Sequence, residues 1–75
     1  MTASAIEPPM NMQPHQQRVL EEKAELNAKL EKLKVFLAGP VFKTLEPAEQ
    51  MRLIQQCAIM VDYSSVLGKR IAAFK

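Results

Sequence analysis

The chain has 75 residues, of which 48% are hydrophobic, and its 10 basic and 8 acidic residues give a net charge of +2 at pH 7. A chain this short forms one domain at most and can barely bury enough apolar surface to fold alone, so it needs a disulfide, a metal ion or association with other chains. Its single cysteine and single histidine exclude an internal disulfide and a Cys/His metal site, which leaves association.

The first 13 residues contain Pro8 and Pro9 and show no apolar period, so we predict a flexible tail over 1–13. The tail lacks the positive start and the apolar run of a secretory signal, and no segment approaches membrane-spanning length. With one reduced cysteine, these features predict a cytoplasmic protein without a membrane partner.

The first long helix is predicted over 14–38, a segment without Gly or Pro in its interior and rich in Glu, Lys, Leu, Gln and Ala. Its apolar positions Val19, Leu26 and Leu33 are seven residues apart, and Leu30 and Leu37 lie between and after them at spacings of three and four. Gly39 and Pro40 end this helix, because glycine accepts the left-handed terminal conformation and proline cannot continue the hydrogen-bond ladder.

A linker over 39–46, with one short helical turn, leads to a second helix over 47–73 that starts at Pro47. Together they predict one domain, an antiparallel helical hairpin over 14–75. We expect one apolar stripe and the start of another on the second helix: Ile54, Cys57, Val61, Leu67, Ile71 and Phe74, then Leu53, Met60 and Tyr63.

The first helix alone cannot cover both stripes, so further partners are needed. The predicted fold class is therefore all-α, a long antiparallel hairpin assembled as a homo-oligomer.

Catalytic chemistry is not indicated by this sequence. One histidine near the start, no Gly-rich turn and no paired nucleophile and base argue against an enzyme, a cofactor or a catalytic site. The four glutamates of the first helix lie among lysines on what is predicted to be a solvated face.

Basic residues are expected to gather at the two ends of the hairpin. One group contains His15, Arg18, Lys69 and Arg70, and the other Lys29, Lys32, Lys34, Lys43 and Arg52. They are either ordinary surface charges or phosphate contacts, with arginine providing a planar fork and lysine a point charge. Symmetry in an oligomer would bring copies of one group together. Duplex DNA fits poorly, because the first helix is as acidic as it is basic.

Two segments carry a family resemblance: PHQQRVLEEKAELNAKLEKLKVFL over 14–37 and EPAEQMRLIQQCAIMVDYSSVLGKRIAAF over 46–74. In these the chain resembles the anti-CBASS cyclic-nucleotide sponges, a family of small phage proteins. The resemblance implies a compact helical homo-hexamer that binds cyclic di- and trinucleotides without cleaving them. The resemblance further implies that this binding blocks bacterial immune signalling in the host cytoplasm.

The resemblance also implies ligand contacts in the matching motifs: His15 and Arg18 in PHQQRV, Lys32 and Lys34 in LEKLKVF, and Arg70 in VLGKRI. The family's pocket is expected to stack an aromatic ring on a base, but the first helix has no aromatic residue before Phe36. His15 is the candidate substitute.

Two other functions stay open from the residues themselves. The same helices could form a coiled-coil adaptor whose apolar face binds a partner helix, or a small nucleic-acid binder with steep salt dependence. An adaptor would tolerate loss of Lys32 and Arg18 but not polar residues at Ile54 and Val61.

Overall fold

A computed structural model describes residues 12–74, and over that range the chain is helical throughout apart from its turns. Helix α1 spans Pro14–Ala38, the short helix α2 spans Pro40–Lys43, and helix α3 spans Pro47–Ala72. Helices α1 and α3 pack side by side as a long hairpin with α2 in the connection. The predicted all-α class and helical hairpin are confirmed. Residues 1–11, which make up most of the predicted tail, lie outside the described part.

The first turn of α1 is closed by the residues around Gln13. The backbone N–H groups of Gln16 and Gln17 donate to the Gln13 carbonyl at 2.9 and 3.1 Å. The Gln13 backbone N–H in turn donates to Oε1 of Gln16 at 2.9 Å. Because these bonds satisfy groups that a helix end leaves without intrahelical partners, α1 begins firmly at Pro14.

The break after α1 does not use a left-handed glycine, so of the two reasons given for it from the sequence the glycine one is wrong and the proline one is confirmed. Gly39 has φ −91° and ψ 173°, which is extended backbone that any residue adopts. A proline disfavours helical geometry in the residue before it and has no N–H to donate. Pro40 therefore ends α1 and begins α2, while Gly39 still donates its N–H to the Phe36 carbonyl at 3.0 Å.

The connection is tied to α3 by one amide side chain. Nε2 of Gln50 donates to the carbonyls of Phe42 and Leu45 at 3.0 and 3.2 Å. The rings of Phe36 and Phe42 meet edge to face with their centroids 6.4 Å apart. These contacts fix the direction in which α3 leaves the turn.

The core between α1 and α3 is thin. Among the described residues only Val19, Leu30 and Leu67 are fully buried hydrophobic side chains. The radius of gyration is 16.3 Å, against about 11 Å for a compact domain of this length. A single hairpin of this shape leaves much of its apolar surface in water.

The face that helix α3 presents to α1 keeps four residues of the predicted stripe, Cys57, Leu67, Ile71 and Phe74, but not the other two. The covered positions are Leu53, Cys57, Met60, Ser64, Leu67, Ile71 and Phe74. Ile54 and Val61, assigned to this stripe from the sequence, are instead 49% and 42% exposed. The 3-4 spacing runs through Leu53 and Met60, which had been assigned to the second stripe.

Three apolar faces run along α3, about 120° apart around its axis at 100° per residue. The core face defined above meets α1. The first outer face consists of Met51, Ile54, Ala58, Val61 and Ser65, and the second of Ile59, Tyr63 and Val66. All eight of these residues are exposed.

Candidate functional site

A polar cluster lies in the middle of the hairpin seam. Nζ of Lys23 donates to Oγ of Ser64 at 3.0 Å, and that hydroxyl donates to Oδ1 of Asn27 at 2.6 Å. All three side chains are half-buried. A Cβ added at Gly68 would lie 3.5 Å from Cε of Lys23, so the small residues of α3 leave room for the lysine stem. The cluster fixes the register: Lys23 and Asn27 lie opposite 64–68.

This register places Arg18 and Arg70 at the same end of the hairpin. Arg70 and Lys69 occupy the last turn of α3, and the first turn of α1 contains no acidic side chain. His15, Arg18 and Arg70 are exposed. A cation near the carboxyl end of a helix is stabilised by the helix dipole. The position of Arg70 therefore also has a purely structural explanation.

Lys32 and Lys34 lie on nearly opposite sides of α1. Two residues of helix correspond to about 200° of rotation. Both are exposed. Nζ of Lys34 is 3.9 Å from a carboxylate oxygen of Glu31, a loose pair between largely exposed groups, whereas Lys32 has no such partner among the described residues.

One chain does not bring all five predicted contacts together. Arg18 and Lys32 are 14 residues apart on the same outer side of α1, which corresponds to about 21 Å along the helix. Glu25 lies between them on that side. A compact anion could therefore contact both groups only if a second chain provided one of them.

Lys23, Asn27 and Ser64 were missed as interacting residues in the sequence interpretation. The signal was present, because positions 19, 23, 26, 30, 33 and 37 follow one 3-4 pattern in which Lys23 is the only polar member. The sequence interpretation used only the apolar members of this pattern and therefore missed Lys23. A lysine at such a position is a feature that specifies helix pairing at some cost in stability.

Neither a metal centre nor a membrane span is built by the described residues. Residues 12–74 contain no group of three His, Cys, Asp or Glu side chains placed to hold a metal ion. In the same range, no helix has both the length and the apolar character needed to cross a bilayer.

Comparison with known proteins identifies the family. Residues 13–73 match the family model described as Sequestin. The chain is also 41% identical over 61 residues to an uncharacterized 7.5 kDa protein in the denB-rIIB intergenic region of Enterobacteria phage T4, a match that covers 81% of this chain and 95% of the phage protein. No solved structure matches. The resemblance to small phage sponge proteins is thereby confirmed, and the chain belongs to the Sequestin family.

Proposed function

We propose that this protein is a phage immune-evasion protein that binds cyclic di- and trinucleotides and sequesters them without cleavage, so that CBASS signalling fails in the host cytoplasm. The observation that carries the proposal is the match of residues 13–73 to a family whose name denotes sequestration. The similar protein of a phage supports the setting. The exposed basic side chains at both ends of the hairpin can bind phosphates through charge-assisted hydrogen bonds.

The binding form is a homo-oligomer, which we propose to be a hexamer as the family resemblance implies. Support comes from α3, where one apolar face meets α1 and two others are exposed. Two separate uncovered faces allow two different contacts between copies, and two different contacts can close a ring of more than two chains.

Ligand contacts are assigned to His15, Arg18, Lys32, Lys34 and Arg70. Arginine can hold a phosphate through two parallel N–H bonds, and lysine contributes a compact charge. Since Arg18 and Lys32 are too far apart to share one phosphate within a chain, each pocket should combine the two ends from different copies. His15, near the start of α1, is the candidate to stack on a base.

Release of intact ligand distinguishes a sponge from an enzyme. Purified protein is incubated with a mixture of cyclic di- and trinucleotides, washed, and heated to unfold it. We expect at least one cyclic nucleotide to appear unaltered in the released fraction. Complete recovery of every nucleotide in the unbound fraction would reject sequestration, and linear products would reject a non-enzymatic role.

Matched variants test the assigned contacts. Arg18→Ala and Lys32→Ala should each weaken binding of the retained nucleotide at least tenfold, because each removes a charge-assisted bond worth about 1.5–3 kcal/mol. Lys43→Ala is the control, since it removes an exposed positive charge outside the proposed contacts. Equal effects of all three variants would show that only overall charge matters.

An adaptor that binds a partner helix is the second candidate, and the exposed apolar faces of α3 favour it. An adaptor should keep its partner when Arg18 and Lys32 become alanine. It should also leave all cyclic nucleotides unbound in the release experiment. The combination of those two results would replace the sponge proposal with the adaptor.

A further inference from the structure

The first outer face of α3 has a pattern suited to helix pairing. Its residues Met51, Ile54, Ala58, Val61 and Ser65 follow one another at spacings of three, four, three and four. This is the spacing of a coiled-coil seam. Met51 is 66% exposed, Ile54 49% and Val61 42%, so the seam has no partner within residues 12–74.

Charge restricts what can cover this seam. None of its five residues is charged, whereas the outer side of α1 carries Arg18, Glu21, Glu25 and Lys32. Packing α1 of another copy there would bury charges without partners, which is strongly unfavourable. The same seam on a second copy is uncharged and equally exposed, so pairing the seam with itself buries no charge.

The sizes of the side chains favour an antiparallel arrangement about Ala58. With a two-fold axis at Ala58, Met51 of one copy lies opposite Ser65 of the other, and Ile54 lies within one residue rise, about 1.5 Å, of the level of Val61. The largest seam residue, Met51, then meets the small Ser65, and the two Ala58 methyl groups allow close approach at the centre. A C2 contact of this kind is self-complementary.

Flanking charges select this register over the next one. An axis at Val61 would place the two Asp62 carboxylates near each other, which is unfavourable. An axis at Ala58 instead brings Asp62 of one copy beside Gln55 of the other. Both of these side chains are exposed.

We propose that two copies of this chain pair through the first outer face of α3, antiparallel and centred on Ala58. This inference rests on the proposed homo-oligomer and specifies one of its interfaces. The pairing leaves the second outer face, Ile59, Tyr63 and Val66, free for the other contact of the assembly.

Cysteine cross-linking in the full chain tests the axis. Cys57 is half-buried, and Cys57→Ala provides a background without other thiols. In that background Ala58→Cys should form a disulfide-linked dimer under mild oxidation at micromolar concentration. Ala28→Cys is the control, because it is exposed on the side of α1 that faces away from α3 and so lies on neither outer face of α3. We expect at least tenfold more cross-linked dimer from Ala58→Cys, and equal yields would overturn the proposal.

A mixed experiment tests direction and register. Ile54→Cys and Val61→Cys chains of different tag mass are combined in the same background. Antiparallel pairing about Ala58 predicts mainly the mixed 54–61 disulfide, since the two copies of position 54 would lie about 12 Å apart along the helix and those of position 61 about 9 Å, both beyond the roughly 7 Å limit between Cα atoms. Predominant 54–54 and 61–61 products would indicate parallel pairing and overturn the inference.

The nucleotide-release measurement is made on the same cross-linked samples, so that the two proposals fail separately. Cross-linking without nucleotide retention would support the pairing and reject sequestration. Nucleotide retention without specific cross-linking at Ala58 would leave sequestration in place and overturn this interface. Circular dichroism that matches the unmodified protein confirms that each variant is folded, and we expect this result because Ala58 and Ala28 are exposed.

Discussion

Helices α1 and α3 have nearly the same length, 25 and 26 residues, but different surfaces. α1 has one apolar seam, and most of the larger side chains on the rest of its surface are charged, with Val35, 71% exposed, the main exception. α3 has three apolar faces and few charges. One partner helix can cover the apolar surface of a helix like α1, whereas a helix like α3 needs several partners. We therefore expect the hairpin to act as a subunit, with α1 facing water and α3 facing other chains.

The largest effect should come from the core face of α3. Leu67 is 0% exposed, and Leu67→Ala removes side-chain volume from the one well-filled part of the seam. We expect a loss of about 3 kcal/mol in the free energy of unfolding, measured by urea denaturation at fixed protein concentration. Gln56→Ala, on an exposed position, should change it by less than about 0.5 kcal/mol. Similar losses for both would contradict the assignment of the core face.

Charge on an outer face of α3 should disturb assembly more than charge on α1. Val61→Lys places an ammonium group in the proposed seam, and we expect the subunit dissociation constant to rise at least about tenfold, or 1.4 kcal/mol. Ala28→Lys adds the same charge to the exposed side of α1 and should leave it unchanged. Analytical ultracentrifugation measures both, and equal effects would show that the two helices do not differ as described.

The polar cluster should contribute less than the apolar core. Ser64→Ala removes the hydroxyl between Lys23 and Asn27, and it should cost about 1 kcal/mol because two half-buried polar groups lose a partner. Lys23→Met replaces the charge by an apolar chain of similar length and should be close to neutral. Thermal unfolding followed by circular dichroism distinguishes these outcomes. A larger cost for Lys23→Met than for Ser64→Ala would contradict a seam position for the lysine.

The smallest effect concerns the connection. Gly39→Ala should change the free energy of unfolding by less than about 1 kcal/mol, with stabilisation the expected sign, because the native backbone suits alanine and the unfolded chain loses freedom. A Cβ there would meet the carbonyl oxygens of Val35 and Phe36 at 3.5 Å, an ordinary contact. A loss above 2 kcal/mol, measured in urea, would show that glycine is required.

Much of the fold could be predicted because composition and spacing determine helices locally. The long hairpin followed from two Gly- and Pro-poor segments around Gly39 and Pro40, and the seam of α1 followed from leucines three and four apart. The faces of α3 could not be separated in the same way. When most positions are apolar, several 3-4 patterns fit, and only packing against α1 showed that Leu53 and Met60 face inward while Ile54 and Val61 do not.

The candidate site was harder to predict than the fold. Motif matches named individual cations, but the distance between Arg18 and Lys32 and the opposite directions of Lys32 and Lys34 depend on helical geometry in three dimensions. Lys23 was passed over because a charged residue was not sought in an apolar seam. Contacts between copies depend on surfaces that a single chain only exposes.

The mass of the protein in solution tests the central claim most directly. Light scattering coupled to size exclusion, at micromolar concentration, should give a discrete multiple of the 8.5 kDa chain mass, because the apolar faces of α3 need partners. A folded, helical species of 8.5 kDa under the same conditions would show that one hairpin is sufficient and would contradict both the assembly and the shared binding sites.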